Sequence, residues 1–161
     1  MGLDMYLDEH IYYGGKWRNG ESHSEGHTLS VTGKFALDNN LEESNIQELT
    51  REVAYWRKAN QIHGWLVENA MDGVDDCTRH YIPRSKLQEL HDICVDVLKA
   101  LDEKRWTDVD KLLPPTEGFF FGDYDVTTDW YRQDIEYTIK ALSSILKEDK
   151  GHSYYYTASW W

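Results

Sequence analysis

The sequence predicts an α+β fold in which a small antiparallel sheet, with its N-terminal and C-terminal strands paired, packs against about three helices. Three observations support this prediction. The chain opens with a loosely alternating segment, which is typical of a strand. It closes with the aromatic segment Ser153–Trp161, which has strong β propensity. Between them lie apolar rows with the spacing of amphipathic helices, and such helices cover one face of a sheet.

The first half of the chain is expected to hold two strands and a long helix. The first strand is predicted over Leu3–Tyr13, and a second candidate strand covers Thr28–Leu37, where apolar residues alternate. Asn45 followed by Glu48 resembles a capping box, a pair that closes the first turn of a helix with reciprocal hydrogen bonds. Apolar residues then recur at helical spacing, so we expect one long helix from this pair to about residue 70.

Two further helices are expected in the second half of the chain. Met71–Pro83 is predicted to be a loop, after which Ser85 caps the second helix and Gln88 completes the capping pattern. The third helix is expected over about Thr128–Lys147. Between these helices, Gly118–Gly122 places three phenylalanines between glycines, which predicts a buried strand or a tight aromatic wall.

Composition and charge narrow the functional classes. A chain of 161 residues is most simply one domain, residues 1–161, and its 7 Trp and 11 Tyr suit half-exposed pockets. The net charge of −12 argues against direct binding to nucleic-acid backbone and to anionic membranes. The two cysteines are expected as reduced thiols, and no apolar run is long enough to span a membrane. We therefore expect a cytoplasmic protein with no membrane partner and no cofactor.

Short motifs along the whole chain form a specific signature. They are Met1–Leu7, Glu52–Asn60 with Ile62, His63 and Trp65, Gly73–Cys77, Leu112–Pro114, Gly118–Gly122, Tyr124 with Asp125, and Tyr154–Tyr156 before Ser159 and Trp160. Together they resemble an uncharacterised family of small acidic bacteriophage and prophage proteins, from end to end apart from residues 14–45. The resemblance implies a viral origin, a location in the bacterial host cytoplasm, and action against host processes or defences.

Polar residues in the apolar stripe of the first predicted helix nominate a site. Asn60 and His63 occupy positions that a helix buries, so each must meet a partner. Aromatic faces stack on bases, an amide reads a base edge, and Arg or Lys neutralises phosphate. We therefore expect a pocket for a small nucleotide-like ligand, formed by Trp56, Arg57, Lys58, Asn60, His63, Trp65, Phe120 and Tyr124. The alternative is that Asn60 and His63 hydrogen-bond within the fold. In the same helix, Gly64 predicts close packing or a bend.

A second pattern suggests zinc. Cys77, His80, His91 and Cys94 have spacings that could close a tetrahedral site. The alternative is that Cys94 continues an apolar helical row, since free cysteine is among the most buried residue types. The family resemblance includes the two cysteines but not the two histidines. We therefore expect no metal at these residues.

A third pattern suggests hydrolysis. Asp75 and Asp76 with His63, or His23 and His27 with nearby acids, could hold Mg²⁺ and position water. An Asp-Asp pair in a loop with glycine more often turns the chain. The chain has no phosphate-binding glycine loop, no nucleophile elbow and no HExxH motif. A metal-dependent hydrolase is therefore the last hypothesis, and a non-enzymatic role is favoured.

The leading hypothesis is a phage accessory protein that binds a small nucleotide-like ligand and sequesters a host defence signal. The alternative is an acidic inhibitor that binds a host defence or nucleic-acid protein through its charge. The tail Tyr154–Trp161 is an apolar strand at a chain end, and a free edge would pair with a second copy. A homodimer and a monomer with a covered tail are equally expected.

Overall fold

A computed structural model describes residues 2–12, 48–119, 121–122 and 125–160, and its fold is α+β. Four strands form one antiparallel sheet: β1 Leu3–Tyr12, β2 Glu48–Arg57, β3 Arg79–Ile82 and β4 Ser153–Trp160. Their order is β2-β1-β4-β3, so the strands nearest the two chain ends are neighbours at the centre of the sheet. The predicted fold class and the predicted pairing of these two strands are both confirmed.

The described residues contain four helices: α1 Asn60–Ala70, α2 Arg84–Asp102, α3 Trp106–Leu112 and α4 Asp129–Leu146. The third predicted helix is confirmed as α4, and the hydroxyl of Thr128 caps it by accepting a hydrogen bond from the backbone N–H of Tyr131 at 3.3 Å. The short helix α3 is not predicted from the sequence, because seven residues hold only about two turns of apolar spacing.

The long helix predicted from the capping-box pattern is wrong in its first half. Glu48–Arg57 is strand β2, and α1 begins only at Asn60. The last residues of β2 alternate between buried and exposed, with Ala54 and Trp56 buried, as in a strand with one covered face. Pairing with β1 thus overrides the helical spacing of the apolar residues. Asn45 lies outside the described residues.

The segment before α2 also differs from its prediction. Met71–Pro83 is not a loop throughout, since its last part forms β3 and pairs with β4. Helix α2 begins at Arg84, one residue before the predicted cap Ser85, and no side chain caps it. The N-cap is Pro83, whose ring has no acceptor atom for the backbone N–H groups of the first turn.

The described part of Gly118–Gly122 is a turn, so the predicted strand is wrong there. The backbone N–H of Phe121 donates to the carbonyl of Gly118 at 3.0 Å and closes the turn. Phe119 is 92% exposed, whereas Phe121 packs partly against the core. Of the two described phenylalanines in this segment, only Phe121 therefore packs as the predicted aromatic wall requires. The candidate strand Thr28–Leu37 lies outside the described residues.

The core lies between one face of the sheet and the packed pair α2 and α4. Strand β1 buries Leu3, Met5 and Leu7, and β4 buries Tyr154 and Tyr156. The predicted apolar rows of both helices are confirmed at most positions, with buried members Leu87, Leu90, Cys94, Val97 and Leu101 on α2 and Tyr131, Ile135, Thr138, Leu142 and Ile145 on α4. The last predicted members, Leu98 and Leu146, are only partly buried.

Both edges of β4 are occupied within the chain, by β1 on one side and β3 on the other. In the register of β3 with β4, Arg79 lies opposite Thr157 and Ile82 lies opposite Tyr154. Over Tyr154–Thr157, the tail therefore offers no free edge to a second copy. The homodimer stays a prediction, but edge pairing through this part of the tail no longer supports it.

The chain divides into two compact units, Met1–Glu9 with Glu52–Trp161, and His10–Arg51. The expectation of one domain stays a prediction. All sites discussed below lie in the first unit. Over the described ranges, no helix is long and apolar enough to cross a membrane.

Candidate functional site

Four of the residues predicted to form one pocket, Arg57, Lys58, His63 and Trp65, line two separate cavities. The first, the basic cavity, has a volume of about 500 Å³ and is lined by Arg57, Lys58, Gln61, Gly122, Thr128, Trp130, Tyr131 and Asp134. The second, the His63 cavity, has a volume of about 420 Å³, and its lining includes Gln61, His63, Trp65, Asp75 and Phe121. The predicted cations therefore lie at one cavity, the predicted imidazole and Trp65 lie at the other, and Gln61 lines both.

Arg57 and Lys58 reach the basic cavity because the chain turns sharply between β2 and α1. Lys58 has a left-handed backbone with φ of 62°, which is uncommon and strained outside glycine. Its N–H donates to the carbonyl of Leu3, and its own carbonyl accepts from the N–H of Asn60, both at 2.8 Å. Gly122 packs against this turn, since a Cβ there would come within 3.1 Å of the Lys58 Cβ. The backbone thus holds two adjacent cations in place.

Helix α4 supplies a wall of the basic cavity. Trp130 is 73% exposed, and the buried Tyr131 donates its hydroxyl proton to the carbonyl of Leu113 at 2.6 Å. The Nε2 of the buried Gln61 donates to the Oδ2 of Asp134 at 3.2 Å. Burial raises the pKa of Asp134 to about 6, while the hydrogen bond from Gln61 acts in the opposite direction. The cavity thus combines an exposed indole, two cations and a largely buried carboxylate.

Trp56 and Asn60 line neither cavity, although both are predicted ligand contacts. The Nε1–H of the buried Trp56 donates to the hydroxyl of Thr138 at 2.9 Å. The Asn60 amide donates to the carbonyl of Phe121 at 3.0 Å and accepts from the N–H of Thr116 at 2.9 Å. Asn60 therefore fits the alternative in which it hydrogen-bonds within the fold. Its two hydrogen bonds connect the segment between Thr116 and Phe121 to α1.

His63 is the centre of a buried chain of hydrogen bonds. Its Nδ1 lies 2.8 Å from the hydroxyl of Tyr156, and its Nε2 lies 3.1 Å from the Oδ2 of Asp75. Because an ionised carboxylate only accepts, we assign the proton to Nε2, and Nδ1 accepts from Tyr156. Burial lowers the pKa of His63, against the influence of Asp75, and raises the pKa of Tyr156 well above its usual value. Both ring nitrogens are therefore occupied within the fold.

Close packing at Gly64 is confirmed. A Cβ at this position would lie 1.8 Å from the Oγ1 of Thr116, so only glycine fits without movement. This contact brings the segment after α3 against α1 and closes one side of the His63 cavity. Trp65 and Phe121 belong to the apolar lining of this cavity. The rings of Phe121 and His63 pack edge to face, with their centroids 5.1 Å apart.

The side chains of Asp75 and Asp76 form hydrogen bonds with different partners. Asp75 hydrogen-bonds to His63, whereas Asp76 hydrogen-bonds to Thr78 and His80. The hydrogen bond from His80, followed by those from Thr78, lowers the pKa of Asp76 to about 2. Over the ranges that the structure describes, no group of three or more His, Cys, Asp or Glu is placed to hold a metal ion. The two carboxylates therefore do not converge on one metal.

The four residues of the zinc pattern lie in different surroundings. Cys77 is exposed, whereas Cys94 is fully buried, and burial raises the pKa of its thiol to about 12. The Nε2 of His91 lies 2.9 Å from the hydroxyl of Ser143 on α4, and His80 belongs to β3. These four residues therefore do not come together as a set of zinc ligands.

Four further candidates, Phe120, Tyr124, His23 and His27, lie outside the described residues. Six residues that line the basic cavity are not predicted as site residues: Gln61, Gly122, Thr128, Trp130, Tyr131 and Asp134. Trp130 and Asp134 are four residues apart on a helix and so share a face, but this spacing alone also fits an ordinary exposed surface.

Comparison with protein-family models, with curated proteins and with solved structures finds no match. The resemblance to phage proteins therefore stays a prediction. A function for this chain has to be argued from the chemistry of its cavities.

Proposed function

We propose that this protein binds a small nucleotide-like ligand in the basic cavity, with a phosphate near Arg57 and Lys58 and a base against Trp130. The supporting observation is that these three side chains line one cavity of about 500 Å³. Ligand pockets commonly have volumes of about 300–1,000 Å³. Cations neutralise phosphate, and an indole face stacks on any base.

The charges support a small anion rather than a polymer. The net charge of −12 repels an extended phosphate backbone, whereas two adjacent cations suffice for one phosphate group. The Arg57 side chain is 64% exposed, and its Nε is 3.9 Å from the Oδ1 of Asp4, a weak pairing that a phosphate would outcompete. Thr128, the N-cap of α4, also lines the cavity, so the positive end of this helix dipole favours an anion there.

The resemblance to phage proteins supports a sequestering role for this binding. A protein made in excess during infection would lower the free concentration of a host nucleotide signal without turning it over. The His63 cavity is outside this proposal because its described lining contains no Lys or Arg. The acidic-inhibitor alternative rests on net charge and stays a prediction.

Isothermal titration calorimetry with nucleoside 5′-monophosphates tests the cations. The double variant Arg57→Gln/Lys58→Gln should weaken binding about tenfold or more, since one charge-assisted hydrogen bond contributes about 1.5–3 kcal/mol. Gln leaves the left-handed turn at residue 58 as strained as before, so the fold should persist. The control Lys86→Gln/Lys99→Gln removes the same charge from α2 and should leave binding nearly unchanged.

The stacking contact is tested by Trp130→Ala. Loss of one stacked base should weaken binding about tenfold, since stacking contributes about 1–3 kcal/mol per base. The fold should tolerate the change because Trp130 is 73% exposed. Trp106→Ala on α3 is the control, an indole outside both cavities. If no mononucleotide binds, or if the cavity variants and their controls weaken binding equally, the proposed function is wrong.

A further inference from the structure

The basic cavity holds a carboxylate that phosphate binding does not require. Asp134 accepts one hydrogen bond, from the Nε2 of Gln61 at 3.2 Å, and within the described ranges its carboxylate has no other hydrogen-bond donor. A carboxylate offers about four acceptor positions. Acceptor capacity therefore remains at a residue that lines the cavity.

The position of Asp134 along α4 suits the far end of a nucleotide. Asp134 follows Trp130 by one helical turn on the same face. It also lies six residues beyond the cap Thr128, about 9 Å along the helix axis at 1.5 Å per residue. The phosphate of a nucleoside monophosphate is separated from the pairing edge of its base by a comparable distance. A ligand with its phosphate near Thr128 and its base against Trp130 would thus present that edge to Asp134.

We infer that the basic cavity selects guanine over adenine, with the carboxylate of Asp134 accepting hydrogen bonds from the guanine N1–H and 2-amino group. This inference rests on the proposed function and names the base that the cavity takes.

The chemistry of the two purines explains the preference. Guanine places two adjacent N–H donors on its pairing edge, which match the two oxygens of a carboxylate. Adenine has only one donor on this edge, its 6-amino group, beside the acceptor N1, so one carboxylate oxygen of Asp134 would face a lone pair in a partly buried site. Hypoxanthine keeps the N1–H but lacks the 2-amino group, so it should rank between them. A site built on polar groups rejects an analogue that leaves those groups unpaired.

Calorimetric titrations with GMP, IMP and AMP at pH 7.5 test the inference. The unmodified protein should bind GMP about tenfold or more tightly than AMP, with IMP between them. Asp134→Asn retains the shape of the side chain and an oxygen for Gln61, and it should abolish most of this ratio. Its affinity for AMP should rise or stay the same, because the Asn amide can donate to adenine N1 where the carboxylate cannot. The control Glu136→Gln removes an exposed carboxylate of α4 that pairs with Arg132, and it should preserve the ratio.

Each outcome decides between the two proposals. Equal affinities for GMP and AMP that still depend on Arg57 and Trp130 would overturn the guanine inference and leave the proposed function standing. A GMP preference that survives Asp134→Asn would also overturn the inference. Failure of all three nucleotides to bind would overturn both. The comparison of nucleotides on the unmodified protein needs no variant, so equal affinities for GMP and AMP would overturn the inference even if a substitution unfolds the chain.

Discussion

The carboxylate of Asp134 should make the fold less stable at neutral pH than an amide in its place. Burial raises its pKa to about 6 from its usual 3.8, so the folded protein holds this proton more tightly than the unfolded chain does. Asp134→Asn removes the titration, keeps the shape, and retains an oxygen that accepts the hydrogen bond from Gln61. The variant should therefore be more stable wherever the native carboxylate is ionised.

The expected gain follows from the shift of about two pKa units. At 1.36 kcal/mol per pKa unit, the shift corresponds to a loss of folding stability of about 3 kcal/mol. This value is an upper limit because the side chain keeps partial access to water. A raised pKa in the folded state means that stability falls as the pH rises from about 4 to about 6, and the full penalty remains above that window. Asp134→Asn should thus gain about 2–3 kcal/mol at pH 8 and almost nothing near pH 4.

Urea denaturation followed by tryptophan fluorescence at pH 4, 6 and 8 measures this gain. The control Glu136→Gln removes an exposed carboxylate paired with Arg132 and should change stability by less than about 1 kcal/mol. A variant less stable than the native chain at pH 8, or a gain of equal size at all three pH values, would refute the reasoning from burial. A gain in stability together with loss of the GMP preference would identify Asp134 as a residue retained for function.

Three further predictions concern packing and burial. Gly64→Ala should lower thermal stability by about 1–3 kcal/mol, because its Cβ would lie 1.8 Å from the Oγ1 of Thr116; an unchanged melting temperature would show that Thr116 moves away freely. Tyr156→Phe should lower the free energy of unfolding in urea by about 1–3 kcal/mol, since it leaves the buried Nδ1 of His63 without a donor; full stability would contradict the assigned tautomer. Cys94 is buried, and burial raises its pKa to about 12, so it should react with a thiol reagent only after denaturant is added; rapid labelling of the native protein would contradict its burial.

The central strands of the sheet could be predicted from the sequence, whereas β2 could not. In β1, alternation coincides with burial of one face, and in β4 the aromatic residues have strong β propensity. In β2, Leu49, Val53 and Trp56 fit helical spacing, and the deciding interaction is pairing with a strand distant in the sequence. Local spacing carries no information on that partner.

The candidate site was predictable only in part, for a related reason. Arg57 and Lys58 were identified because cations beside aromatic residues suit a nucleotide, and they do line a cavity. Trp130 and Asp134 come from a helix about 70 residues later in the chain, and spacing within a segment does not report which segments pack together. The polar residue Asn60 in an apolar stripe correctly predicts burial, but not that the backbone groups of Thr116 and Phe121 are among its partners.

The strand order has a consequence for the synthesis of the chain. Strands β1 and β4 are neighbours in the sheet although they lie at opposite ends of the described residues. One edge of β1 therefore remains unpaired until β4 has emerged from the ribosome, and contacts of such long sequence separation form slowly. A nascent chain lacking β4 would expose this edge to aggregation and to chaperones. The hydrogen bonds through Tyr156 would be among the last to form.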